Sequence, residues 1–156
     1  MCSSQVNAGD FKLSVQIPVI NVAEYHRPYV AIWIANPDQS VAMNLAVWYD
    51  LKLADAEGSK WLKDIRQWWR RTGRTLEMPA DGIAGATRAQ GTHEIDYSAQ
   101  LAALPDGEYR LFVEAVREVG GREMLDIPFA WPPRQEQSVT AKGETELGTI
   151  LLTLTP

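Results

Sequence analysis

Between Asp10 and Ile17 the apolar residues Phe11, Leu13, Val15 and Ile17 alternate with Lys12, Ser14 and Gln16. A period of two over that length specifies an extended strand with one buried face, because successive side chains of a strand point to opposite sides. Segments of the same kind recur along the chain. Residues 27–36 form a β-branched and aromatic run stopped by the turn cluster Asn36-Pro37-Asp38, and residues 41–53 pair back through that turn. Residues 92–97 read as a short strand and residues 108–119 as a long one that follows the tight turn Leu104-Pro105-Asp106-Gly107. Gly120-Gly121 turns the chain into residues 122–130, Pro132-Pro133 ends that run, and residues 148–155 alternate once more. Seven or so short strands with turn signals between them predict an all-β chain, an antiparallel β-sandwich of immunoglobulin or fibronectin type III layout. Residues 1–9 are expected to be a flexible N-terminal segment and residues 10–156 a single domain.

One segment changes period. At 3.6 residues per turn, Trp61, Leu62, Ile65, Trp68 and Trp69 fall in a stripe about 120° wide, with Lys63, Arg66 and Arg70 opposite. This predicts one inserted amphipathic helix over about 60–72, stopped at Gly73. The helix is also where the charge departs from the rest of the chain. Net charge is −5, yet residues 60–74 carry Lys60, Lys63, Arg66, Arg70, Arg71 and Arg74 against Asp64 alone, a local basic patch on an acidic protein. The acidic balance argues against a general nucleic-acid binder. With one cysteine and two histidines, the chain has no internal disulfide, and thiolate zinc sites, cysteine-held clusters and multi-histidine metal sites are not expected. No apolar run approaches the ~20 residues that a membrane-spanning helix needs. The start Met-Cys-Ser-Ser-Gln has no apolar core of an export signal as written. Cys2 has two readings, an incidental free thiol or a residue like the lipid-modified first residue of a mature bacterial lipoprotein.

Residues 75–91 are rich in Gly, Ala and Pro and read as an irregular loop, too long for a simple connection. No nucleophile elbow, phosphate-binding loop, dinucleotide fingerprint or His-Glu-x-x-His motif occurs anywhere in the chain. The informative segment is Asp81-Gly82-Ile83-Ala84-Gly85-Ala86-Thr87-Arg88. Gly82 and Gly85 permit positive φ, and Ala84 and Ala86 leave little bulk beside Thr87, so a threonine hydroxyl is presented to an approaching molecule. A threonine is a weak nucleophile without an adjacent base, and the segment supplies none. Chemistry at Thr87 therefore calls for a second protein to activate it.

These residues carry a resemblance. Asp81-x-x-Ala84-Gly85-Ala86-Thr87 resembles the acceptor motif Asp-x-x-Ser/Thr-Gly-Ala-Thr, on which a bacterial flavin transferase attaches FMN to the threonine through a phosphoester. Ala84 is the departure, since the pattern carries a hydroxyl residue there. The resemblance makes Thr87 the attachment residue, Asp81 a recognition or metal-associated acid, and Gly85-Ala86 the cleared approach. More widely, residues 27–34, 60–71, 81–88 and 104–109 resemble a bacterial family of predicted periplasmic proteins of unknown function. Its members accompany flavin transferases and PepSY-type membrane oxidoreductase components. The resemblance implies a periplasmic or envelope flavoprotein, lipid-anchored through Cys2, that carries electrons on covalent FMN and requires no turnover of a substrate of its own. Its partners would be the transferase and a PepSY-type redox protein.

The aromatic and charged residues near the motif have two uses each. Trp68 and Trp69 either stack on the flavin ring or belong to the core, and adjacent tryptophans on a helix cannot both face the same way. Trp61 and Ile65 are expected in the core. Arg70, Arg71, Arg74 or Arg88 would hold the cofactor's phosphate by charge-assisted hydrogen bonds, or lie on a solvated face. His93 would donate to a flavin carbonyl, or be a satisfied strand residue. His26 is expected to be structural, and Glu144 and Glu146 to be solvated loop charges. The competing reading of the whole chain is a cofactor-free immunoglobulin-like binding module whose basic, Trp-rich helix docks an acidic partner.

Overall fold

The structure is a computed structural model that describes residues 9–51, 60–78, 80 and 82–156. The expected β-sandwich forms from two sheets. One has the order β5(Gly91–Asp96), β1(Asp10–Ile17), β9(Thr149–Thr155), β8(Gln137–Lys142). The other has the order β4(Ala84–Ala86), β3(Val41–Tyr49), β2(Tyr29–Ala35), β6(Gly107–Val116), β7(Arg122–Trp131). The alternation in β1 does what its period demands: Phe11, Leu13, Val15 and Ile17 are each at most 1% exposed, while Lys12 and Gln16 face solvent. Leu13 lies opposite Leu152 and Val15 opposite Ile150 on β9, and this apolar face packs on Val30, Ile32, Ile34, Leu111 and Val113 of the other sheet.

Every residue of β2 after Tyr29 is buried, not only alternate ones. The reason is a second apolar layer on the outer face of its sheet. There Ala31, Trp33, Ala35, Val47, Tyr49 and Phe112 are covered by Leu62, Ile65 and Trp68, and Trp33 stacks on Phe112 at 5.2 Å. A strand buried on both faces reads as a continuous apolar run, as this one does.

The covering segment corrects the expectation of one helix. It consists of a 3₁₀ turn, Leu62–Asp64, then α1(Arg66–Arg71), then a second 3₁₀ turn, Gly73–Thr75. Ile65 breaks the helical path with ψ 76°. That break shifts the phase of the stripe, and Trp61, expected in the core, is 49% exposed, whereas Ile65 and Trp68 are fully buried. The break also frees the first N–H groups of α1. Gln67 and Trp68 donate theirs to the fully buried Glu114 carboxylate of β6, at 3.1 and 2.8 Å, and Arg122 Nε donates to the same group at 2.8 Å. Trp68 Nε1 donates to Asn44 Oδ1 at 3.0 Å. Gly73 lies flat against this indole: a Cβ there would stand 2.5 Å from Trp68 Cζ3. Gly73→Ala is expected to cost about 1–3 kcal/mol through overpacking, measured as a lowered urea midpoint, and an unchanged midpoint would contradict the packing described.

Three elements were not anticipated. Residues 84–86, within the expected irregular loop, form β4, which pairs in parallel with β3 in the register Val47↔Ala84, Trp48↔Gly85, Tyr49↔Ala86. A parallel partner needs a crossover, and the chain between β3 and β4 includes the helical cover. The other two are β8 and the short helix α2(Ser98–Leu101). β3 stops at Tyr49, short of the expected boundary at 53.

Glu146 is corrected from a solvated charge to a buried one. It is 3% exposed and receives Arg117 Nε at 3.1 and 3.0 Å on its two oxygens. Its own loop is fixed by Glu123, which accepts the backbone N–H groups of Glu144, Thr145, Glu146 and Leu147 at 2.7 to 3.2 Å. Burial pushes the Glu123 carboxyl's pKa up, but those four bonds outweigh it, and the group lies below its ordinary value of 4.5. A depressed folded pKa means stabilisation that is complete above the unfolded value and is lost as pH falls through the folded one. Glu123→Gln is therefore expected to lower the urea midpoint at pH 7, with the gap to wild type closing as both are taken below the carboxylate range. A gap that is independent of pH would sink this assignment.

Candidate functional site

A cleft of about 950 Å³ opens at one end of the outer layer. Its floor and walls come from strand ends that the pairing brings together. Val30 of β2 lies opposite Trp48 of β3, which puts Tyr29 beside Tyr49, and their rings meet edge to face at 6.4 Å. Tyr29 is also the partner of Val116 at the end of β6. Around these stand Tyr25, His26 and Arg27 from the segment before β2, Trp61 and Asp64 from the helical cover, and residues 117–120 from the β6–β7 turn. Ala86 and Thr87 close the cleft from β4. Four aromatic side chains, Tyr25, Tyr29, Tyr49 and Trp61, thus share one concavity with the threonine of the motif.

Its electrostatics are set by a few groups. Burial pushes the pKa of Tyr29 and of Tyr49 above the ordinary value of 10.0, so both stay neutral phenols with a proton to donate. A hydrogen bond to Glu24 at 2.7 Å raises the pKa of His26 above its ordinary 6.5, against a smaller opposing effect of burial, with Glu118 at 3.6 Å adding to the rise. Arg117 is 8% exposed, bound to Glu146 through Nε and Nη2, and its guanidinium lies over the Tyr25 ring at 5.8 Å. Among the described residues, neither Arg117 Nη1 nor Tyr25 Oη, both shielded from solvent, has a hydrogen-bond partner. Buried polar atoms without partners each cost about 1–3 kcal/mol, so such a pair at a cleft wall favours a ligand that satisfies it. At the rim, Val119 has φ 55°, a left-handed conformation that a β-branched residue adopts only under constraint. Leu51, Trp61 and Val119 are exposed there.

The residues singled out from the sequence divide into those at the cleft and those elsewhere. Thr87 and Ala86 line it. Gly82 has the anticipated positive φ of 82°, but Gly85 is an ordinary strand residue whose missing side chain faces Trp48, with a Cβ there 3.4 Å from Trp48 Cδ1. Arg88 turns away from the cleft: its guanidinium lies over Trp48 at 4.7 Å and donates to the Ala86 carbonyl. His93, on β5, is edge-on to the same indole at 6.3 Å, with Nε2 2.7 Å from the Ala89 carbonyl. Trp68 is sealed in the outer layer, and Trp69, half-buried, packs against that layer at 6.4 Å from Trp68; neither lines the cleft. Lys63, Arg66, Arg70 and Arg74 are exposed, and Arg71 donates to the Gln39 carbonyl at 2.7 Å. Asp81 and Cys2 lie outside the described residues. Tyr25, Tyr29, Tyr49 and Arg117 were missed. The turn at 36–38 signals that the two strands bearing Tyr29 and Tyr49 pair, but the register that sets 29 opposite 49 also depends on two irregularities in the pairing, between Ile32 and Trp33 and between Ile34 and Ala35.

Fold and site together define an all-β sandwich protein with an aromatic cleft at one end of its helix-covered sheet. Among the described residues, no helix is long and apolar enough to cross a membrane. Residues 10–149 match the family described as predicted periplasmic protein (DUF2271), and the chain belongs to that family. No curated protein and no solved structure gives a significant match.

Proposed function

We propose that this chain is an extracytoplasmic electron carrier whose FMN is attached to Thr87 by a flavin transferase. The observation that supports the reading is the shared cleft: the motif's threonine lies on the same concave surface as Tyr25, Tyr29, Tyr49 and Trp61. Its volume of about 950 Å³ falls in the range of cofactor sites, and the unpartnered Arg117 Nη1 and Tyr25 Oη suit the carbonyl-bearing edge of a flavin. In the attachment, the Thr87 Oγ–phosphorus bond forms as the pyrophosphate bond of a flavin dinucleotide breaks. The nucleoside monophosphate leaves, and the hydroxyl proton goes to a base on the transferase, so the chain gains FMN less water. When bound, the flavin supplies one- and two-electron transfer. The protein's part would be to line the ring with Tyr25, Tyr29, Tyr49 and Trp61 and to fix the linkage at Thr87. A PepSY-type membrane protein is the redox partner we propose, with Cys2 as a lipid tether.

The test is co-expression with a flavin transferase. A yellow protein whose intact mass has risen by FMN less water is expected. A colourless protein of unmodified mass would reject the carrier and favour a binding module that uses the exposed cations of the helical cover. The departure at Ala84 has its own outcome. Its side chain packs against the apolar outer layer and does not line the cleft, so Ala84→Ser is expected to leave the extent of labelling within about twofold of wild type, read by intact mass. A large gain in labelling would show that the hydroxyl serves the transferase.

A further inference from the structure

We infer that Arg117 and Tyr25 form a dedicated polar anchor for the carbonyl edge of the bound ring, with Glu146 as the residue that positions it. The inference rests on the carrier reading for the identity of the ring. Glu146 takes Nε and Nη2 of Arg117, which fixes the plane of the guanidinium and leaves Nη1 as the donor not used in the fold. The same carboxylate accepts the Gly121 N–H at 3.2 Å, so the anchor is tied to the β6–β7 turn that forms one cleft wall. The strained Val119 belongs to that turn, and strain of this kind persists where the surroundings over-determine the backbone. Gly120 leaves the guanidinium its room: a Cβ there would stand 2.5 Å from Arg117 Cζ. Tyr25 supplies the second donor. It lies in residues 18–28, which contain no helix or strand, and its ring closes over the guanidinium. Both donors are shielded from solvent, so the anchor requires the Tyr25 side chain to swing off Arg117 as the ring enters. The paired Arg117 and Glu146 charges offset one another, so the anchor offers directed donors with little net charge and suits a neutral ring carbonyl better than a phosphate. The phosphate end is left to Thr87.

The anchor is tested on two readouts. Riboflavin, which has the ring and no phosphate, is titrated into the unmodified chain and followed by quenching of flavin fluorescence. Tyr25→Phe, which keeps the ring and removes Oη, is expected to weaken binding about tenfold, the loss of one buried hydrogen bond. Arg117→Ala risks unfolding because it strands Glu146. The double change Arg117→Met with Glu146→Met removes the pair together and keeps the volume; with a wild-type thermal melt, it is expected to abolish quenching. In the flavinylated chain, both variants are expected to carry the full mass gain, with the flavin's midpoint potential shifted to more negative values as donors to its reduced form are lost. Full mass gain with wild-type quenching and potential in both variants overturns the anchor and leaves the carrier reading intact. Mass gain with no riboflavin binding by the wild type also overturns the anchor. No mass gain in the wild type defeats the carrier reading, and the riboflavin titration then still decides whether the cleft takes the ring.

Discussion

Thr87→Ala, co-expressed with a flavin transferase, is expected to stay colourless and at its unmodified mass while the wild-type chain gains FMN less water. The expected loss is complete because the phosphoester needs an oxygen nucleophile at that point of the cleft wall. Among the described residues, Thr87 is the only Ser or Thr that lines the cleft, and its neighbours Ala86 and Arg88 offer no hydroxyl. Thr87→Ser keeps the hydroxyl and is expected to label, which separates loss of the acceptor from loss of the surrounding shape. Stability is expected to change by no more than about 0.5 kcal/mol, since Thr87 is half-buried after the end of β4 and outside both apolar layers. A Thr87→Ala chain that still gains the mass would place the flavin on another residue. A Thr87→Ala chain that unfolds would make the labelling result uninformative, and circular dichroism of the purified variant distinguishes that case.

What could be read in the sequence was whatever depends on near neighbours. The alternation of β1 and the β-branched, aromatic run of β2 are properties of eight- and seven-residue segments, and the hairpin turns lie between strands adjacent in sequence. β4 could not be read this way. Ala84-Gly85-Ala86 has no strand preference of its own, and it is extended because β3, almost forty residues earlier by number, offers it a free edge. The segment was therefore singled out by its residue types, while its extended, paired conformation was not legible. The same division runs through the site. Thr87 and Ala86, which line the cleft, were singled out from one short segment, but Arg117 and Glu146 meet only when the ends of two sheets are brought together, and a buried arginine looks like any other in a strand-end sequence. The tryptophan stripe misassigned Trp61 because a 3.6-residue period was carried across a segment whose first turn is 3₁₀. The result reverses the expected place of Trp61, which is the tryptophan at the cleft, while Trp68 takes the core place that was one of its two uses.

That reversal depends on Glu114, and Glu114→Ala is expected to destabilise the protein by about 3 kcal/mol. The carboxylate is fully buried in the outer layer, where it accepts two N–H groups at the start of α1 and the Arg122 guanidinium. Without it, Gln67 and Trp68 N–H have no acceptor where water is excluded, at about 1–3 kcal/mol for each group left unsatisfied. The Arg122 side chain is 32% exposed and rehydrates when released, but Arg122→Ala leaves the buried Glu114 carboxylate without that cation and is expected to cost about 2 kcal/mol. Glu114→Gln keeps one carbonyl acceptor and should fall between the two. The loss is not confined to the helix. With α1 unfastened, Leu62, Ile65 and Trp68 no longer cover Trp33, Val47 and Tyr49, and Tyr49 and Trp61 are walls of the cleft. Urea unfolding should therefore show a lowered midpoint for Glu114→Ala, and riboflavin quenching should fall with it even under conditions where the sandwich core is folded. A variant with wild-type midpoint and wild-type quenching would mean that α1 is held by its apolar face alone, and that the break at Ile65 serves packing instead of delivering two N–H groups to a carboxylate on β6.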